Sequence, residues 1–272
     1  MGKQSSPSRY PTPGRAICAL IALTLLIPGQ GVYANSADQP GEPCAILIHG
    51  ITKDSRSMAS IAAALSEAGF HTVNLDYPSR QHPIETLAEM AIPVGLNACR
   101  EANAAPLYFV THSMGALLLR QYYEHRKTSD IARVVMLGPP NQGSRLGNFL
   151  SCIPIIKDVN GPAGKQMGVD ERSLPNRLGP VNFPVGVIAG TRSYNPLFSA
   201  IIHGDDDGIV GLPSTYVAGV CTRIQFALTH DQLTRDGRVT EQVVNYLRRG
   251  AFEGAEIEHF ECRDSATTPA KP

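Results

Sequence analysis

The segment Thr111-His112-Ser113-Met114-Gly115 constrains this chain more than any other, because it separates two runs that call for different backbones. Before it, Pro106-Leu107-Tyr108-Phe109-Val110 is short, apolar and suited to a strand; after it, Ala116-Leu117-Leu118-Leu119-Arg120 continues as a helix. A strand, a sharp turn with a serine at its tip and a helix together present a nucleophile. Taken alone, such a serine reads as a helix N-cap. It acquires a chemical meaning only when a base, an acid and oxyanion donors occur elsewhere in the chain.

Upstream, Cys44-Ala45-Ile46-Leu47-Ile48 is apolar throughout, as a strand buried on both faces should be, and it runs into His49-Gly50-Ile51. A tetrahedral intermediate needs two backbone N–H groups aimed at its oxygen, and the amides of Ile51 and Met114 are the candidates. Gly50 lets the backbone approach a substrate closely. Downstream, Pro184 to Ala189 reads as a strand followed by His203-Gly204-Asp205-Asp206-Asp207-Gly208-Ile209-Val210. Asp207 is the candidate acid, with Asp206 its first substitute. The apolar run Thr222 to Leu228 then delivers His230, the candidate general base. The 23 residues from Asp207 to His230 suffice for a loop, a strand and a turn, so both emerge on the carboxyl edge of a parallel sheet, where open α/β sheets carry their sites.

With Ser113, Asp207 and His230 in that chain order, residues 43–252 resemble the α/β-hydrolase superfamily, in its small bacterial, triacylglycerol lipase-like lipase and esterase branch. The resemblance implies an α/β-hydrolase fold: a mostly parallel central sheet flanked by helices, with a short cap, residues 141–180, between the sixth and seventh strands of the family. It also implies a Ser-His-Asp triad and no metal or organic cofactor. Thr111 stands where the G-x-S-x-G elbow has its first glycine and brings a β-branch towards a tight turn.

Residues 1–34 read as a secretory signal: Lys3, Arg9 and Arg15 precede the apolar stretch Ala16 to Ile27, and Val32-Tyr33-Ala34 offers a cleavage site. The expectation is a periplasmic or secreted protein with one domain over 35–262 and a disordered tail over 263–272. Without the signal, 21 basic residues face 24 acidic ones, a net charge of −3 that favours neither nucleic acid nor anionic lipid. An exported chain is expected to pair its cysteines. In the hydrolase sheet the segments opened by Cys44 and closed by Cys99 are neighbours, so the resemblance implies a Cys44–Cys99 disulfide on the edge away from the site, with Cys221 and Cys262 as a second pair and Cys152 free.

Ser57 to Ala68 reads as a helix, Phe70 to Tyr77 as a strand, Ile84 to Arg100 as a helix interrupted near Pro93, and Val239 to Arg249 as the closing helix. Within the Gly- and Pro-rich cap and the loop after the strand at 184–189, Phe149, Leu150, Ile153, Leu197 and Phe198 are candidates to line an acyl site; Ile155 and Ile156 belong to the same apolar patch. His112 reads as structural, because neighbours on a strand point to opposite faces. His71, His82 and His125 read as surface or structural residues, and His259 lies in the polar tail. Two alternatives stay open: a cation site at Asp205 to Asp207, and another use of the scaffold, as thioesterase, amidase, acyltransferase or non-catalytic binding protein. The implied partner is an ester or lipid substrate, with transient contact to a lipid surface.

Overall fold

The computed structural model describes residues 41–153, 158–254 and 256–260. The expected signal segment, the tail, Ile155, Ile156 and Cys262 lie outside these residues.

Among the described residues the core is one seven-stranded sheet. In chain order its strands are β1 (Cys44–Ile48), β2 (His71–Asn74), β3 (Leu107–His112), β4 (Ile131–Leu137), β5 (Val185–Gly190), β6 (Thr222–Phe226) and β7 (Ile257–His259). Their spatial order is β2-β1-β3-β4-β5-β6-β7. All neighbours are parallel except β7, which runs antiparallel to β6 on the edge.

Side-chain alternation along a strand explains why the central strands are apolar throughout. In β1, Ile46 and Ile48 face one layer with Phe109 and Met136, packed under Ile84, Leu87, Ile92 and Leu117. Ala45 and Leu47 face the other layer with Val110 and Val135, covered by Ile61, Leu65, Val243 and Leu247. The first layer comes from helices α2 (Ile84–Glu101) and α3 (Met114–Tyr123), the second from α1 (Ala59–Glu67) and α8 (Gly237–Arg249). Each fully buried Leu or Ile contributes about 1.5–3 kcal/mol.

The elements depart from sequence expectation in three places. Helix α2 runs unbroken through Pro93. Ala91, Ile92 and Gly95 around the proline are buried, and Gly95 lies so close to β1 that an added Cβ would sit 2.8 Å from Ile46 Cγ2. That packing offsets the roughly 3 kcal/mol that an internal proline costs. Strand β2 is confined to His71–Asn74, so Asp76 and Tyr77 leave the sheet towards the candidate site. His259, read as part of a polar tail, belongs to β7, where it pairs with Thr222.

Between β4 and β5, where the resemblance implies the cap, the described residues form three short helices: α4 (Arg145–Ser151), α5 (Gly161–Lys165) and α6 (Leu174–Arg177). This insertion is moored by Arg120 of α3, which is 3% exposed. Its guanidinium donates to the carbonyls of Asn141, Pro175, Leu178 and Gly179 and to Asn141 Oδ1 at 2.8–3.3 Å. Burial lowers its pKa to about 10, so the group is still charged at neutral pH.

Cys44 and Cys99 are joined with Cα atoms 5.8 Å apart, tying the last turn of α2 to the first residue of β1 at the amino edge of the sheet. Cys221 is also disulfide-bonded, and Cys152 is free and exposed. The Cys44–Cys99 bond spans 55 residues. Loop-closure entropy assigns it about 4 kcal/mol. A Cys44→Ala/Cys99→Ala variant is expected to lose stability on that scale in equilibrium urea unfolding; an unchanged midpoint would contradict this.

Candidate active site

At the end of β3 the chain turns into α3 through Ser113, whose φ of 54° and ψ of −123° are strained for a residue with a side chain. The turn is held by Ser113 N–H donating to the carbonyl of Leu137 at 2.9 Å. Close packing forces the sharp geometry: a Cβ on Gly115 would lie 2.5 Å from the Ile48 carbonyl oxygen. Thr111, which stands in for the first elbow glycine, is a strand residue paired with Ile48 and Met136. Its β-branch therefore sits in extended backbone and never enters the turn.

The candidate oxyanion turn, His49-Gly50-Ile51, follows β1 directly. Gly50 is so near the elbow that an added Cβ would meet Ser113 Cβ at 3.0 Å. The amides of Ile51 and Met114 make no hydrogen bond among the described residues, as donors reserved for a ligand would. Beneath them His49 is fully buried, stacked on Tyr77 with ring centroids 4.1 Å apart, and its Nδ1–H donates to the Gly50 carbonyl at 2.8 Å. The Tyr77 hydroxyl donates to the His49 carbonyl at 2.5 Å, and burial raises its pKa, so it keeps that proton. Neither contact has a sequence signal, because 28 residues separate the two rings.

Asp207 and His230 meet at the carboxyl ends of β5 and β6. His230 Nδ1 lies 2.7 Å from Asp207 Oδ2, with both residues buried. Asp207 Oδ1 accepts from the amides of Ile209 and Val210 at 3.0 and 2.8 Å, and His230 N–H donates to the Asp207 carbonyl at 2.8 Å. Two glycines make room for the pair. A Cβ at Gly138, whose φ is +52°, would lie 3.0 Å from His230 Nδ1, and one at Gly190 would lie 2.8 Å from Asp207 Cβ. Asp206, the substitute acid, accepts instead from Gly208 N–H at 2.7 Å, and Asp205 is exposed. Among the described residues no three His, Cys, Asp or Glu side chains gather as metal ligands.

His112 packs beside His230. Its Nε2 is 3.2 Å from the His230 carbonyl oxygen and its ring is 4.7 Å from the His230 ring. Burial, and secondarily the neighbouring His230, hold its pKa well below the usual histidine value. A neutral ring donates Nε2–H to the carbonyl and leaves Nδ1 as a buried acceptor with no partner in the structure. His112 thus fixes the loop that carries His230. Lys53 adds a second tie across the site, with Nζ 2.9 Å from Asp231 Oδ1.

Ser113 and His230 line one cavity of about 330 Å³, with no hydrogen bond between their side chains. Its apolar wall includes Ile51, Leu146, Leu150, Met167 and Val210. Of the five candidates for an acyl site, Leu150 is on this wall; Phe149, Ile153, Leu197 and Phe198 are not. The reason is helical: Leu146 and Leu150 are one turn apart on α4, whereas Phe149 points elsewhere and is 46% exposed. Leu197, in α7 (Pro196–Ile202), is 74% exposed. The Leu146/Leu150 spacing was available in the sequence, but Gly143 and Gly147 concealed the helix that uses it.

No family model and no curated protein sequence matches the chain. Solved structures do. A lipase of Bacillus licheniformis in its mature form superposes with a TM-score of 0.59 at 17% identity, over 75% of this chain and 91% of that one. This chain has the α/β-hydrolase fold. The propeptide form of the same lipase gives a TM-score of 0.62 at 17% identity over 80% of this chain, which spans only 52% of that longer one. Lipase B of Aspergillus fumigatus gives 0.55 at 14% identity, over 89% of this chain and 63% of that one. The fold accounts for the strand, turn and helix around Ser113 and for the loops of Asp207 and His230 sharing one sheet edge.

The buried histidines carry a pH consequence. His49 and His112 are both held below 6.5 in the folded chain, chiefly by burial. Below pH 6.5 the unfolded chain binds protons that the folded chain refuses, so stability present above that pH is lost as the pH falls towards the folded values. The slope is up to about 1.4 kcal/mol per pH unit for each histidine. Urea unfolding between pH 7 and 5 is expected to show this decline; a flat profile would remove the assigned burial effect.

Proposed function

We propose that this chain is an exported serine hydrolase of carboxylic esters, those of a lipid or another acyl-bearing molecule. The observation that carries the proposal is the buried 2.7 Å contact of His230 Nδ1 with Asp207 Oδ2 on the wall of the cavity that Ser113 also lines. With Nδ1–H directed at the carboxylate, Nε2 is left to act as the base.

In this mechanism Ser113 Oγ attacks the ester carbonyl while His230 Nε2 takes its proton. Asp207 keeps the imidazole oriented and stabilises its charged form. The carbonyl oxygen becomes negative between the amides of Ile51 and Met114. When the C–O bond to the alcohol breaks, His230 returns the proton to the leaving oxygen. A water activated by His230 then releases the acid from Ser113. The apolar wall of Leu146, Leu150 and Met167 suits the acyl chain.

Export is supported by the basic and apolar pattern of residues 1–34 and by the Cys44–Cys99 disulfide. Among the described residues no helix is long and apolar enough to cross a membrane. Phe149, Tyr194 and Leu197, all exposed, offer apolar surface for transient contact with a lipid interface.

Ser113→Ala is expected to leave the fold intact and to lower ester turnover by about 10⁶-fold. A fluorophosphonate is expected to modify Ser113 in the mature oxidised protein and to fail in His230→Ala, as read by mass mapping. Comparable turnover in a folded Ser113→Ala variant, or labelling elsewhere, would remove Ser113 from the mechanism.

A further inference from the structure

The turn that carries the Ile51 amide is not one that its residues favour. Lys53 N–H donates to the Gly50 carbonyl at 3.4 Å, which closes a four-residue turn over 50–53. The third residue of that turn, Thr52, has a φ of 60°. A turn with positive φ at its third position ordinarily takes glycine or asparagine there, and a β-branched side chain in the left-handed region is strained. Among the described residues the Thr52 side chain makes no hydrogen bond that would hold it so.

A tie comes from across the cavity. Lys53, next in the chain, directs its ammonium at Asp231, with Nζ 2.9 Å from Oδ1 and 3.0 Å from Oδ2. Asp231 follows His230 directly and is 178 residues from Lys53. Its carboxylate does not cap the short helical turn that follows it, so its interaction is with Lys53. Ile51, Thr52, Lys53, His230 and Asp231 all line the cavity of Ser113, and the pair therefore spans that cavity from the turn to the loop of His230. The two side chains are 29% and 57% exposed. A pair so exposed contributes little to global stability. The strain of a single left-handed residue is of similar size, so such a pair suffices to decide the conformation of this turn.

We propose, resting on the ester hydrolysis described above, that Lys53 and Asp231 are positioning residues for that reaction. Their ion pair holds the strained turn against the loop of His230 and thereby fixes the Ile51 amide relative to the imidazole. In this role neither side chain touches the reacting atoms. The oxyanion donor and the base come from distant parts of the chain, and a donor misplaced by about 1 Å loses much of its hold on the developing charge. Binding of the uncharged ester asks less of that donor, so loss of the pair lowers kcat and leaves KM nearly as it was. Glycine at position 52 would need no tie, because it takes positive φ without strain.

The test follows p-nitrophenyl butyrate hydrolysis by the mature oxidised protein. Lys53→Met and Asp231→Asn are each expected to lower kcat about fivefold or more, with KM within about twofold and the urea midpoint nearly unchanged. The double variant is expected to lose no more than either single one, because both substitutions remove the same interaction. Adding Thr52→Gly to Lys53→Met is expected to recover most of the lost kcat, which a general loss of packing would not allow. Unchanged kcat in the single variants, losses that multiply in the double variant, or a Lys53→Met defect that Thr52→Gly leaves in place overturns the positioning role and leaves the hydrolase reading standing. Should the ester resist turnover while the fluorophosphonate labels Ser113, the same comparisons made on the labelling rate decide the matter, since the phosphonyl oxygen draws on the same donors. Failure of both turnover and labelling in folded, unsubstituted protein removes the hydrolase reading and the positioning role together.

Discussion

The close approach of helix α3 to the end of β1 is the constraint on which the rest of the structure depends. With Gly115 against the Ile48 carbonyl, the chain can leave β3 only through a turn that holds Ser113 at positive φ. Such a turn is unfavourable by itself, on the order of 1–3 kcal/mol, and persists because its surroundings over-determine it. Those surroundings are the flanking strands, buried on both faces, and the Ser113 to Leu137 backbone bond. The large core therefore holds Ser113 in a conformation that local preference would release.

The histidines of the site illustrate how burial assigns different tasks to one side-chain type. His49 is stacked and buried under the Gly50-Ile51 turn, His112 is neutral and bonded to the loop beside it, and His230 is held on a carboxylate at the cavity wall. A charge on His112 would sit beside His230 and oppose any charge forming there. Keeping the first two neutral leaves the proton-accepting part of the proposed mechanism to His230.

What was legible in the sequence was whatever short range or chain order encodes. The fully apolar runs at 44–48 and 107–110, the Ser113 turn and the loops bearing Asp207 and His230 could be placed because each strand end announces its own loop. Pro93 misled because a local rule was applied to a helix whose burial overrides it. The edge strand β7 was missed because three residues pairing with β6 make too short a pattern to stand out from a polar tail. The cavity wall was only partly legible: Leu150 and Phe149 are adjacent in sequence, but α4 turns them in different directions. Gly138 and Gly190 had no signal, since their purpose is to be absent where Asp207 and His230 meet.

The buried Arg120 has a consequence for how the insertion between β4 and β5 can vary. One guanidinium holds Asn141, at the start of the insertion, and Leu178 and Gly179, at its end. Mechanically the two ends share a rivet, so the segment between them is a closed loop set on a fixed base. Its middle can lengthen, shorten or change composition without transmitting force to β4 or β5. Residues such as Leu146 and Leu150 thereby stand like furniture in a room whose two doorposts are joined by one side chain of α3.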